Sequence, residues 1–365
     1  MFGKPFQTLD IAFTDEEKAF YENDKANINK KLNAFNREAE KRAKKDKCYI
    51  CGKECSSFCN SHSVPQFCLR RISTNGKVYF SGIQIDFPIL GEDKGVNNAG
   101  TFHFICDDCD NSVFKDYETP NAYSSRPTGK MLAQIAMKNY LHIISQRLVS
   151  KEKFALGEES FPFFYPVFQQ QKKVADLDLS DYISAYERSK IAARGGHDDW
   201  YYLCYYKELN YVVPLAAQTT ITLISDFEDN IINDPYNHSP EYHPKDLHIA
   251  VFPLEHTSVI LLFIDSRVKA YRRFYRQLNK LELSEQLSAI NFIIHSYTEN
   301  VFLSKSIPPE VLNDENFRKV CQKNSYLIST TPNQQADRKS FAAQEFSLNK
   351  RNTIPNLLSK EFALT

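Results

Sequence analysis

Apolar residues recur at helical spacing in several parts of the chain. In residues 128–149, "TGKMLAQIAMKNYLHIISQRLV", they return every three or four positions, which predicts a helix with Thr128 as its N-cap. The same spacing predicts helices over 179–193, 266–281 and 284–302, and "RGGHDD" ends the first of these three. By contrast, "FPFFYPVF" carries too many bulky residues and prolines for a helix.

Runs rich in β-branched and aromatic residues predict strands in the second half of the chain. They are "WYYLCYYKEL", "AAQTTITLIS" and "LHIAVFPLEHTSVILLFI", the last of which should split into a hairpin around "LEHTS". Between 75 and 104, apolar and polar residues alternate between turn signals, which predicts a hairpin or short strands. Helices and antiparallel strands together indicate an α+β protein.

Polar segments lie at both ends. Residues 14–47 contain no Gly or Pro and predict one polar helix. Its last part, 30–47, carries eight basic and three acidic residues, so it is either a solvated surface helix or a basic arm leading into a nucleic-acid site. The predicted organisation is a charged helix (1–47), a cysteine-rich module (48–120), a larger α+β domain (121–328) and a polar tail (329–365), poorly ordered or draped on the surface.

Composition narrows the class of protein. The 45 basic and 45 acidic residues cancel, so any binding of a polyanion must come from local patches. No run approaches the roughly 20 apolar residues of a membrane span, and the N-terminus is charged too early for a signal peptide. We therefore expect a cytoplasmic protein with no membrane partner, in which the nine cysteines are reduced thiols.

Two CxxC pairs are the strongest chemical signal. Cys48 and Cys51 lie in a Cys-x-x-Cys-Gly turn, and Cys106 and Cys109 precede "DNSVFKDYE", which can begin a helix. Four thiolates suit tetrahedral zinc, so the spacing predicts one structural zinc ion. Three further cysteines complicate the count: Cys55, Cys59 and Cys68. We expect Cys55 and Cys59 to be spectators, because the downstream pair already completes a four-thiolate set.

The order of these residues carries a family resemblance. A CxxC knuckle, His62 on a predicted strand, an Asn and a CxxC at a helix start together resemble the zinc-stapled form of the HNH endonuclease family, over about residues 48–118. The resemblance implies a treble-clef (ββα-metal) module. It also implies that the protein hydrolyses DNA phosphodiester bonds.

Functional roles follow from that resemblance position by position. His62 would be the general base on water, Asn97 or Asn98 the brace of the hairpin, and Asp110 the helix residue that helps to hold Mg²⁺ or Mn²⁺. The chain departs from the family at Ser61, where an acidic metal ligand is usual, and at Asp110, where His or Asn is usual. The Ser-His-x-x-Pro sequence of this chain, residues 61–65, resembles that of variant modules in a nuclease-like branch of the family.

A second basic segment, 267–280, contains six positive and no negative residues. At helical spacing, Lys269 and four further charges share one broad face that could follow phosphates. The four predicted to bind nucleic acid are Arg272, Arg273, Arg276 and Lys280. The alternative is a solvated helix whose charges pair with the acidic residues of "DFEDNIINDP", 226–235.

Two functions thus remain open. The first is a metal-dependent HNH-like endonuclease acting on DNA, with double-stranded DNA as the expected substrate and microbial genome defence as a setting suggested only by analogy. The second is a zinc-binding module without catalysis, which recognises nucleic acid or a protein partner. The His-Asn-CxxC order favours the first function, and the loss of the acidic residue before His62 favours the second.

Overall fold

The structure is a computed structural model. It describes residues 6–8, 15–80, 93–160, 165–332 and 341–364. The middle of the predicted 75–104 strand region, the start of "FPFFYPVF" and part of the predicted tail therefore lie outside the described residues. Among the residues described, no helix combines the length and the apolar character needed to cross a membrane.

Helices form two layers on either side of a sheet. Their bounds are α1 Asp15–Ala43, α2 Gln66–Ile72, α3 Asp107–Val113, α4 Gly129–Ser160, α5 Tyr165–Ala192, α6 Arg272–Leu278, α7 Leu283–Tyr297, α8 Pro309–Leu312 and α9 Glu315–Ser329. α1 is kinked at Asp24. α4 and α5 pack along each other, and α1 packs against α4.

A seven-stranded sheet forms the centre of the fold. The strands of the protein are β1 Phe6–Thr8, β2 Ser61–His62, β3 Lys77–Phe80, β4 Lys94–Gly95, β5 Thr101–Phe102, β6 Tyr201–Leu209, β7 Leu215–Ile221, β8 Leu247–Pro253, β9 Ser258–Asp265, β10 Val301–Leu303 and β11 Thr330–Pro332. The central sheet has the order β4-β3-β10-β7-β8-β9-β6, and all its pairs are antiparallel. The mixed helical and antiparallel architecture predicted from the sequence is confirmed.

The cysteine-rich segment contributes to this sheet. β3 pairs with β10, so that Phe80 lies opposite Phe302 and Tyr79 opposite Leu303. β2 and β5 form a separate two-stranded ribbon in the same segment, with His62 opposite Thr101. The short strands predicted between 75 and 104 are therefore present in its described parts.

The two faces of the sheet bury different sets of side chains. Strands β7 and β8 are buried throughout, because both faces are covered. One face, with Val251 and Leu262, packs against α6, α7, α9 and the C-terminal segment. The other, with Phe252 and Phe263, packs against α4, α5 and the cysteine-rich segment. The basic helix α6 and the cysteine-rich segment thus lie on opposite faces of the sheet.

Four helix predictions need correction. The helix predicted over 266–281 is limited to α6, Arg272–Leu278, with turns on both sides. The helix predicted over 128–149 continues to Ser160, because charged residues after 149 do not interrupt helical geometry. α5 begins at Tyr165 and therefore includes part of "FPFFYPVF"; Pro166 falls in its first turn, where a missing N–H costs no intrahelical hydrogen bond. The helix predicted over 284–302 ends at Tyr297, and residues 301–303 form β10 instead.

The C-terminal segment also differs from its prediction. We expected a polar tail, but the described residues 341–364 insert apolar side chains into the core beside α7, with Leu348, Leu357 and Leu358 fully buried. Asn291 of α7 fixes this segment, since its amide donates to the Pro355 carbonyl at 3.0 Å. The apolar residues are too few and too irregularly spaced to give a periodic signal, which is why the sequence concealed them.

Gly100 makes the connection between β2–β5 and the sheet possible, and its replacement provides a test. Its φ is +65°, and a Cβ there would lie 2.4 Å from Cζ of Phe302 and 2.7 Å from Oγ of Ser63. Gly100→Ala should lower the free energy of unfolding by at least about 1–3 kcal/mol, the usual cost of overpacking, measured by urea denaturation. Gly95→Ala is the control, because no atom lies within 4 Å of its added Cβ. Equal stability of the two variants would contradict this packing.

Candidate metal centre and acid–lysine cluster

The first cysteine pair lies in a tight turn. The backbone N–H of Gly52 donates to the Cys48 carbonyl at 2.8 Å, and that of Cys48 donates to the Lys53 carbonyl at 2.9 Å. Gly52 has φ +73°, a conformation that side-chain-bearing residues rarely adopt. The Cys-x-x-Cys-Gly sequence therefore produces a knuckle that turns both thiols to one side.

The second pair lies at the start of α3. Cys106 is the N-cap residue and Cys109 lies in the first turn, as the sequence predicted. The backbone N–H of Cys106 points at Sγ of Cys48, 3.4 Å away. The start of α3 therefore lies directly against the Cys48–Cys51 knuckle.

The four sulfur atoms of Cys48, Cys51, Cys106 and Cys109 all lie within 4.8 Å of one another. Tetrahedral Zn–S bonds of about 2.3 Å place ligand sulfurs about 3.8 Å apart, and Sγ of Cys51 lies 4.0 Å from Sγ of Cys106. Burial opposes ionisation of Cys48, but backbone N–H groups outweigh it and lower the pKa of this thiol to about 7. The donor set and its spacing fit one zinc ion.

The other cysteines of the segment stand apart from this group. Sγ of Cys55 donates to the Lys53 carbonyl, and Sγ of Cys59 donates to the Ile105 carbonyl. Burial raises the pKa of Cys59 to about 12. Cys68 is fully buried in the core. The expectation that Cys55 and Cys59 are spectators agrees with the four-sulfur group.

A cluster of charged side chains lies behind β2. Ser61, fully buried, donates its hydroxyl to Oδ1 of Asp110 at 2.7 Å. Nζ of Lys138 contacts the same oxygen at 2.5 Å and lies 3.0 Å from Oε1 of Glu118. Lys138 is 0 % exposed and its ammonium also lies 4.0 Å from the Phe114 ring centre.

The charge of Lys138 is maintained by its two acids. Burial by itself favours the neutral amine, but Glu118 and Asp110 outweigh that cost and raise the pKa of Lys138 above its ordinary value. A buried ammonium thus neutralises the carboxylate that the family resemblance assigns to a divalent cation. We refer to Ser61, Asp110, Glu118 and Lys138 as the acid–lysine cluster.

These residues do not fit a preformed magnesium or manganese site. Mg²⁺ requires about six oxygen ligands in octahedral geometry, whereas Oδ1 of Asp110 already accepts from a hydroxyl and an ammonium. Of the groups of three or more His, Cys, Asp or Glu side chains in the described part of the chain, the four cysteines alone are spaced for a metal. The serine at position 61 supplies a donor to Asp110 where an acidic residue would supply a ligand.

His62 lies on the ribbon formed by β2 and β5 and is half-buried. Its Nε2 lies 3.0 Å from the Val96 carbonyl oxygen. Because a carbonyl only accepts, Nε2 carries the proton, and Nδ1 of the neutral ring keeps its lone pair. Burial lowers the pKa of His62 below its ordinary value of 6.5, and the charges of Lys138, Asp110 and Arg70 also act on it.

The two candidate bracing residues act differently. The Asn97 side chain accepts from Nε2 of Gln66 on α2 at 3.1 Å. Asn98 acts through its backbone: its N–H donates to the Gly95 carbonyl, and its carbonyl accepts from Oγ1 of Thr101. Both stabilise the chain that holds Val96 over His62.

A hydrogen-bond network extends from the acid–lysine cluster into the sheet. The Tyr117 hydroxyl donates to Oε1 of Glu118 at 3.1 Å and accepts from Gln218 of β7 at 3.4 Å. Gln218 also donates to Oδ1 of Asn139, next to Lys138 in sequence. The network therefore ties α3, α4 and the central sheet together through buried polar groups.

At its far end the network reaches a second buried group of polar residues. Asn139 contacts Nδ1 of His248 at 3.2 Å, and the Tyr140 hydroxyl lies 3.3 Å from Nε2 of His248. Tyr140 donates to Oδ2 of Asp246 at 2.9 Å. Burial lowers the pKa of His248 to about 3 and raises that of Asp246 to about 7. His248 is therefore a neutral core residue.

The basic residues proposed for nucleic acid lie on α6 and the turns beside it. Nε of Arg273 lies 3.8 Å from Asp226, and its Nη1 lies 3.9 Å from Glu228. Both acids belong to the segment that the sequence offered as ion-pair partners. No described ion pair involves Arg272, Arg276 or Lys280, so their role in binding stays a prediction.

Comparison with known proteins identifies no relative: no protein-family model, no curated protein and no solved structure matches the chain.

Sequence reasoning missed Lys138. Its one signal was a basic residue within "MLAQIAMKNYLHII", an otherwise apolar helical face. A lysine in such a position must be either partnered or displaced from the core. Glu118 is the partner that the sequence pattern did not identify.

Metal analysis tests the four-cysteine centre. The purified protein should contain about one zinc per chain, and Cys109→Ser should lose the metal and unfold the segment, because structural zinc supplies much of the folding free energy of such modules. Cys55→Ser is the matched control and should keep both the zinc ion and the folded segment. A well-folded, metal-free wild-type protein would disprove the assignment.

The acid–lysine cluster makes a separate stability prediction. Lys138→Met should cost up to about 3–5 kcal/mol of unfolding free energy, the range for breaking a buried pair, because it leaves two half-buried carboxylates without a counter-charge. Lys130→Met is the control: its Nζ pairs with Asp116 at 2.7 Å but the side chain is 38 % exposed, so its loss should cost less than about 1 kcal/mol. Similar costs for both variants in chemical denaturation would contradict the assigned role.

Proposed function

We propose that the chain is an HNH-like phosphodiesterase acting on DNA, in which residues 48–118 form a treble-clef module stapled by zinc. The observation that carries this proposal is the state of His62. Its Nε2–H donates to the Val96 carbonyl, and its Nδ1 makes no described hydrogen bond. A half-buried, neutral imidazole with a free ring nitrogen is what a general base on water requires.

The charges around His62 support the same chemistry. Arg70 on α2 is exposed, belongs to no described ion pair, and acts electrostatically on His62. Arg70 could contact a phosphate oxygen of the substrate. In the proposed step, Nδ1 of His62 takes a proton from water while the water oxygen bonds to phosphorus. The bond from phosphorus to the leaving oxygen breaks, and that oxygen takes up a proton from bulk water.

Divalent cations have a limited place in this proposal. The acid–lysine cluster does not fit a magnesium or manganese ion, so no step is assigned to one. The zinc ion, held by the four cysteines, would stabilise the module and take no part in bond breaking. The reduced thiolates that it needs fit a cytoplasmic location.

Cleavage assays test the proposal directly. Wild-type protein should cut DNA without added magnesium or manganese, and His62→Ala should lose about 10²- to 10⁴-fold in rate, the usual contribution of a general base. Zinc content and melting temperature of the variant should stay unchanged. His256→Ala, which removes a histidine that is 86 % exposed in the turn between β8 and β9, is the matched control. If wild-type protein never cuts, or His62→Ala cuts as fast, the proposal fails.

The pH dependence gives a second readout. Because the pKa of His62 is lowered, the ring stays unprotonated, and active as a base, to a lower pH than a free imidazole. The acid limb of kcat/KM should therefore have its midpoint below pH 6.5. A midpoint above 6.5 would contradict the burial of this ring.

A binding module without catalysis is the second candidate, and one observation favours it. Lys138 and Ser61 both donate to Oδ1 of Asp110, so one carboxylate oxygen of the residue that the family resemblance places at the cation is already occupied. On this hypothesis the zinc centre only shapes a surface that recognises nucleic acid or a protein partner. Binding of DNA without cleavage under all conditions would favour it.

A further inference from the structure

A large cleft lies where α1, α4, the β2–β5 ribbon and one end of the central sheet meet. Its volume is about 1140 Å³, at or above the upper end of the roughly 300–1,000 Å³ typical of small-molecule pockets. Thr101 and Phe102 of β5 line one side, and Thr219 and Thr220 of β7 line another. None of the residues assigned to phosphodiester cleavage lines it.

Positive charge concentrates along this cleft although the whole chain is neutral. Four basic residues line it from α1 and the turn that follows, and Lys153 lines it from α4. The four are Arg37, Lys41, Lys44 and Lys45. None of these five makes an ion pair with any described residue, and two acids, Glu40 and Glu299, also line the cleft. The excess of unpaired cations attracts a polyanion.

The position of α1 over the cleft is fixed by a different residue. Arg42 donates from Nη1 and Nη2 to the two carboxylate oxygens of Glu159 at the end of α4, at 2.7 and 3.2 Å. Its Nε donates to Glu38. One arginine of this basic segment thus holds the helix to α4 while its neighbours remain available at the rim.

The interior of the cleft differs chemically from its rim. His142 and Tyr182 line it and are half-buried. Burial lowers the pKa of His142 to about 4, so its ring is neutral, and it packs against Phe102 with ring centres 5.5 Å apart. Neutral aromatic faces inside a cationic rim suit nucleobases inside and phosphates outside. A duplex keeps its bases stacked in its interior and cannot present them in this way, whereas a single strand can.

We propose that the cleft between α1 and α4 binds single-stranded nucleic acid, with phosphates against Lys41, Lys44, Lys45 and Lys153 and bases toward His142 and Tyr182. This inference goes beyond the proposed function, because the cleft contains none of the residues proposed for cleavage. The principal nucleic-acid interface would then lie on the face of the sheet opposite α6, and not on α6 itself.

Binding assays with matched charge reversals test this site. The probes are a labelled single-stranded DNA, an RNA of the same sequence and the corresponding DNA duplex, all measured in the His62→Ala background so that no probe is cut. The cleft variant is Lys41→Glu, Lys44→Glu, Lys45→Glu. The control is Arg272→Glu, Arg276→Glu, Lys280→Glu, which changes the charge equally on the other face.

The cleft variant should lose at least about tenfold in affinity for the single strands, and the slope of log K against log salt should flatten by about two, since each lost phosphate contact accounts for about 0.7. The control should bind like its parent. His142→Ala should lose about 5- to 160-fold, the range for one stacked base. Circular dichroism and zinc content should show that all variants fold.

Three outcomes would overturn the inference: no binding of either single strand at low salt, tighter binding of the duplex, or loss of affinity only in the α6 control. A preference between DNA and RNA identifies the natural strand without affecting the site. Because binding is measured without cleavage, failure of the nuclease assay leaves the cleft standing, and failure of the cleft leaves the role of His62 standing.

Discussion

The buried ammonium of Lys138 is the interaction on which the arrangement of the site depends. It lies in an apolar helix face, 0 % exposed, and its charge persists because Asp110 and Glu118 lie against it. An isolated charge in that position would cost several kcal/mol. Lys138 thus joins α4 to α3, and through α3 to the four-cysteine centre. The same contacts determine the chemistry that Asp110 can perform.

Much of this architecture follows from local sequence pattern. The CxxC spacing identified all four sulfur atoms that meet, because the knuckle geometry and the helix start are both encoded within a few residues. Strands β6 to β9 followed from β-branched and aromatic runs. What pattern could not supply was partnership over long distances: Lys138 with Glu118, or Ser63 with Asn300, which join segments far apart in the chain. The buried C-terminal leucines were missed for another reason, since their irregular spacing gives no periodic signal.

Two neighbouring residues bear in opposite ways on the proposed HNH-like chemistry. His62 is half-buried with Nε2 3.0 Å from the Val96 carbonyl oxygen, as the proposed base requires, whereas Ser61, one residue before it, donates to Asp110 within the acid–lysine cluster. Adjacent strand residues face opposite sides, so one ribbon carries both features. The cleft gives a role to the basic residues of α1. They were conspicuous in the sequence, but only the packing of α1 against α4 shows which surface they line.

The central claim is that a lysine ammonium, and not a divalent cation, neutralises Asp110. The most direct measurement is anomalous diffraction from crystals soaked in Mn²⁺, recorded at the zinc and manganese edges. We expect one zinc peak among Cys48, Cys51, Cys106 and Cys109, and no manganese peak within coordination distance of Asp110. A manganese peak bound to Asp110, with Lys138 displaced from it, would show instead that Asp110 is a cation ligand.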